Sequence, residues 1–128
     1  MKKVINVFIF ATALFVSGGA NAQHIINLTG KENLHAPQQV EQTIKVSGEC
    51  ETCRIRIEQA ALSLEGVKKA HWDEGKQEIA LIYIPSQVTK EAIEQKIASV
   101  GHDTEDVKAD DKVFNTLPKC CQYTRKGN

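Results

Sequence analysis

An excess of charge is missing from this chain: 16 Lys and Arg stand against 16 Asp and Glu. Affinity for nucleic acid or for anionic membrane comes from clustered Lys and Arg neutralising phosphates, so neither partner is indicated. Aromatic residues are sparse, at 5%, and proline is used three times. A run long enough to cross a bilayer is lacking too. Residues 4–16 form an apolar stretch of 13, against the roughly 20 that a spanning helix needs. At 128 residues the chain has room for one small domain and an appendage, which excludes a multidomain enzyme.

What is present begins with a targeting pattern. Lys2 and Lys3 precede the apolar stretch, and Ala20 and Ala22 follow it in a small-residue cleavage arrangement. Residues 1–22 are expected to be a signal peptide cut after Ala22, and the expected location is periplasmic. Loss of Lys2 and Lys3 leaves 14 basic residues against 16 acidic, a mature net charge of −2. Residues 23–39 mix Gln, Asn, His and Pro37 without a sustained period and read as a flexible tether.

From residue 40 onward the pattern becomes regular. Residues 42–46 alternate polar and apolar side chains as a half-buried strand does, and Ser47-Gly48 breaks them. Ile57, Ala60, Ala61 and Leu64 fall on one helical face, predicting a helix over 53–65 with Gly66 at its end. Residues 67–73 and 78–84 read as strands joined by a turn at 73–76, the second strand apolar on both faces and stopped by Pro85. Thr89 is a candidate N-cap, Val88 and Ile93 form a hydrophobic staple, and Ile93, Ile97 and Val100 make the stripe of a second helix closed by Gly101. A short last strand is predicted over 104–109. The order βαββαβ predicts an α+β, ferredoxin-like sandwich over 40–109, with two helices on one face of a four-stranded antiparallel sheet. Residues 110–128 follow as a polar, Cys-containing tail.

The four cysteines form two close pairs, Cys50/Cys53 and Cys120/Cys121. As disulfides these pairs would close almost no loop and remove little unfolded-state entropy, so their placement points to chemistry rather than stapling. Cys50-Glu51-Thr52-Cys53 lies where a strand gives way to a helix. There, unpaired N–H groups and the helix dipole favour thiolate, and Arg54 and Arg56 add positive charge. Thiolate is a soft ligand, suited to Cu(I), Hg(II), Zn(II) or Cd(II) and not to Mg or Ca. A redox dithiol or a simple surface disulfide are the other readings of this spacing.

The loop Gly48-x-Cys50-x-x-Cys53 after a strand, Ile57-Glu58, Ala60, Leu64 and Gly66-Val67 beyond it, and a second helix ending at Gly101 together resemble the heavy-metal-associated domain. The resemblance spans residues 42–107 and covers order, spacing and helix ends. It implies metal held by Cys50 and Cys53, no catalysis, and transfer by thiolate exchange. The implied partner is a membrane metal transporter or another carrier with a CxxC pair. The expected assembly is a monomer, with a dimer bridged by metal shared between two exposed loops as the alternative. The implied cargo is Cu(I) or Hg(II), with Zn(II) or Cd(II) as the alternative; a thiol–disulfide oxidoreductase is the rival use of the same pair. The usual family loop carries a buried Met before the first cysteine; here Val46-Ser47-Gly48-Glu49-Cys50 has none and is one residue shorter. Glu49 resembles the acidic residue found at this place in some zinc, cadmium and lead pump modules, and reads equally as a solvated charge.

His102, just after Gly101, falls in the loop that approaches the metal loop in that family. It is a candidate third ligand, a hydrogen-bond donor to sulfur, or an exposed turn residue. Cys120 and Cys121 could return sulfur to the first pair, hold a second metal, pair with it as disulfides, or serve structure alone. His71 reads as a strand-surface residue, and His24 and His35 fall in the tether.

Overall fold

The computed structural model describes residues 36–125. The expected signal segment, most of the tether with His24 and His35, and residues 126–128 lie outside the described residues. Among the described residues no helix is long and apolar enough to cross a membrane.

Strand β1 (Val40–Lys45) leads into α1 (Glu51–Leu62), β2 (Val67–Asp73), β3 (Glu78–Tyr83) and α2 (Lys90–Ser99). A short helix α3 (Asp111–Asn115) and a 3-10 turn (Lys119–Cys121) follow. The sheet is antiparallel in the order β1-β3-β2, with Ile44 opposite Ile79 and Ile79 opposite Trp72. Ile79 and Leu81 of β3, Ile44 of β1 and Trp72 of β2 are buried together with Ile57 and Ala61 of α1 and Ile93 and Ile97 of α2. Helices thus cover one face of an α+β fold, and alternation along each strand decides which side chains reach the core. β3 buries Ile79, Leu81 and Tyr83 on one face, while on its other apolar face Ile82 is half-buried and Ala80 exposed.

Among the described residues the sheet has three strands, where four were expected. Where the fourth was predicted, an isolated bridge joins Val46 to Thr104, with Ser47 N–H donating to Asp103 O and Glu105 N–H to Lys45 O. The chain then leaves the sheet. Thr104 N–H donates to Val107 O at 2.8 Å and Thr104 Oγ1 accepts from Val107 N–H at 3.0 Å, so a local turn takes the groups a strand would have offered to β1.

Helix α1 starts two residues before the predicted position and stops at Leu62, because Cys50 serves as N-cap and Ser63 as C-cap; Gly66, with φ +100°, instead turns the chain into β2. α2 follows its sequence signals closely. Thr89 Oγ1 accepts from Ala92 N–H, and His102 N–H donates to Ile97 O while Gly101 N–H donates to Ala98 O. That pair of bonds is a Schellman ending, and Gly101 supplies its left-handed residue at φ +100°. The polar tail is not free of the domain: Leu117, Cys121 and Tyr123 are buried.

Candidate metal centre

Cys50 stands at the mouth of α1 with extended backbone, where the first helical N–H groups have no helical partner. Cys53, in the first turn, is fully buried, and its Sγ accepts from Glu49 N–H at 3.4 Å. The two sulfurs are 3.3 Å apart. A third arrives from the far end of the chain: Cys121 Sγ lies 3.6 Å from Cys50 Sγ. The sulfurs of Cys50, Cys53 and Cys121 all lie within 4.8 Å of one another. Cys120 is exposed, its Sγ 3.9 Å from that of Cys121, and all four cysteines are free thiols.

Two side chains from the β2–β3 hairpin hold the loop that presents Cys50. Gly48 N–H donates to Gln77 Oε1 at 2.9 Å, and Gln77 Nε2 donates back to Gly48 O at 2.6 Å. Trp72 Nε1 donates to Val46 O at 3.0 Å, and its ring fills the space beneath Gly48. A buried indole therefore supports the loop from beneath.

The thiols differ in acidity. Burial opposes ionisation of Cys50, but the Cys53 amide and the thiols of Cys53, Cys120 and Cys121 outweigh it, bringing Cys50 down to about 7. Burial pushes Cys53 up. Burial, reinforced by the neighbouring sulfurs, pushes Cys121 up as well. One thiolate forms readily, while the other two keep their protons until an ion takes the proton's place. Arg54 contributes less than its position suggests, because its guanidinium is engaged by Glu51 and by Glu58 at 2.7 Å.

His102 is fully buried and lies outside the group of three sulfurs. Its Nδ1 is 2.9 Å from Ser47 O, and burial lowers its pKa, so the neutral ring with Nδ1 protonated braces the loop from below. Glu49 is exposed and accepts from Thr124 N–H at 3.4 Å, turning toward the tail. His71 is exposed on β2, beside Glu58.

The residues that seat the tail carry no motif. Tyr123 stacks on His102, its hydroxyl accepts from Asp103 N–H at 2.7 Å and donates to Gly101 O at 3.3 Å. Arg125 donates to both Asp103 carboxylate oxygens, at 2.8 and 2.6 Å, and to Ala109 O at 2.7 Å. Their only sequence signal was apolar and aromatic content in a segment otherwise polar. A second group, Glu94, Glu105 and Asp106, also converges, but Lys90 Nζ sits among them at 3.9, 2.5 and 2.7 Å and takes the cation's position.

Residues 43–103 match the heavy-metal-associated domain. No curated protein matches the chain. Among solved structures it is similar to a CopZ metallochaperone, at 23% identity and TM-score 0.50, over 51% of this chain and 98% of that one. It is similar to a putative copper-ion-binding protein from Bacillus anthracis str. Ames, at 24% identity and TM-score 0.52, over 55% and 100%. It is also similar to the water-soluble region of the P-type ATPase CopA from Bacillus subtilis, at 30% identity and TM-score 0.51, over 54% and 46%.

Proposed function

Residues 43–103 being a heavy-metal-associated domain, we propose that this protein is an exported, non-enzymatic carrier of a soft metal ion, Cu(I) or Hg(II). Cys50 and Cys53 are its primary ligands, Cys121 and Cys120 its auxiliary sulfurs, and His102 a brace of the loop. The observation that carries this reading is the convergence of three thiol sulfurs within 4.8 Å at the start of one helix. Thiolates select soft ions, and a set of fewer than four suits an ion that is to be passed on rather than kept as a structural zinc. Hand-over needs no catalyst, since each step exchanges one metal–sulfur bond for another. Similarity to a metallochaperone and to part of a P-type ATPase supports a membrane metal transporter, or another CxxC carrier, as the partner.

The test is an anaerobic titration of the reduced protein with Cu(I) and with Hg(II), followed by thiolate-to-metal absorption in wild type and Cys50→Ser. Stoichiometric binding that weakens in the variant is expected; absence of stoichiometric binding of either ion in wild type overturns the reading. Export is tested separately, by finding Gln23 as the amino terminus of the protein recovered from cells.

A further inference from the structure

Resting on the soft-metal reading, we propose that residues 110–125 form a strap that makes the loaded site three-coordinate through Cys121. The strap must then lift as the ion is handed on.

The sulfur geometry favours three ligands over two. With a metal–sulfur bond of about 2.3 Å, a linear two-sulfur site needs sulfurs about 4.6 Å apart and a trigonal one about 4.0 Å. Cys50 and Cys53 stand at 3.3 Å and Cys50 and Cys121 at 3.6 Å, so the trigonal arrangement asks for the smaller opening. Cys121 is also fully buried, facing this group and not solvent.

The strap's main anchors lie on the loop after α2 rather than on the CxxC helix. Leu117 packs on Gly101 so closely that a Cβ there would meet it at 2.9 Å. Tyr123 and Arg125 bind the loop at 101–103 and Ala109. Loosening these contacts withdraws one sulfur, while Gln77 and Trp72 still hold the loop that presents Cys50. In transfer, an acceptor thiol gives up its proton and its sulfur bonds the ion. The bond from the ion to Cys121 breaks, and Cys121 takes up a proton. No electron changes hands. Arg125 and Tyr123 are positioning residues in this scheme, because they act on the ion only through Cys121.

The probe is Hg(II), bound to the full chain and read by mercury–sulfur distance in X-ray absorption. Release to a small competing dithiol gives the kinetics. Wild type is expected to show three sulfurs, and Cys121→Ser two with binding still stoichiometric. Arg125→Ala keeps every thiol and is expected to lose part of the three-sulfur signal and to release the ion about tenfold faster. That is the scale on which an orienting partner acts on a metal ligand. Tight binding with two sulfurs in wild type overturns the strap and spares the carrier. Three sulfurs in Cys121→Ser, or wild-type behaviour of Arg125→Ala, also overturn it. Failure of wild type to bind Hg(II) at all overturns both.

Discussion

Gly48 lies against the indole of Trp72 with no room for another atom: a Cβ at this position would stand 2.9 Å from Trp72 Cζ2 and 3.0 Å from Cys53 Cβ. Gly48→Ala therefore forces either the ring or the first turn of α1 to move. The expected cost is that of overpacking a filled site, ~1–3 kcal/mol, seen as a lower thermal midpoint of the metal-free protein. Because Cys53 is one of the atoms displaced, metal affinity should fall as well, which a titration of the same variant checks.

Gln77 offers a cleaner separation of loop from fold. Its amide grips Gly48 at both backbone groups from a left-handed position, φ 54°. Gln77→Asn keeps a residue that tolerates this backbone but shortens the reach by one methylene. Thermal stability is expected to change little, while affinity for Hg(II) or Cu(I) drops on the order of tenfold, as for loss of a group that orients a ligand.

Thiol acidity makes a prediction about pH. The Cys50 thiol, brought from 9.0 down to about 7, ionises in the folded chain before it does in the unfolded one. Its contribution to stability is therefore fully present above the ordinary thiol value and is lost as pH falls through about 7. In the metal-free protein, alkylation mapped by mass spectrometry should modify Cys50 at half its maximal rate near that pH. Cys53 and Cys121, both pushed up by burial, should react only under alkaline conditions.

Glu94 works in the opposite sense. It is fully buried on α2 with Lys90 at 3.9 Å, and burial raises its pKa. The folded chain keeps this proton to higher pH than the unfolded chain, so stability declines as pH rises from the ordinary carboxylate range through the raised folded value. Glu94→Gln is expected to melt at a higher temperature than wild type at neutral pH. The gap should close in acid, where both side chains are uncharged.

What the sequence made legible was local. Thr89, Val88, Ile93 and Gly101 announced both ends of α2 because caps and staples act within a few residues, and they read correctly. The CxxC at a helix start was legible for the same reason. Trp72 and Gln77 were not, since they meet the loop from 24 and 29 positions away and neither residue type marks such a contact. The last strand failed because Thr104 can satisfy Val107 locally, and alternation alone does not show which bond wins. Tyr123 and Arg125 close on residues 20 to 22 positions back through a single aromatic hydroxyl and one guanidinium, a pairing with no period to betray it.

Cys50 and Cys121 are separated by 71 positions, yet their sulfurs nearly touch. An ion bound by both would tie a ring through most of the folded unit and act as a cross-link that vanishes on chelation. Such a link subtracts from the freedom of the denatured chain, and the longer the ring the greater the subtraction. Loading would then be felt well away from the sulfurs, in slower amide exchange of the sheet and in resistance of the carboxyl-terminal segment to proteases.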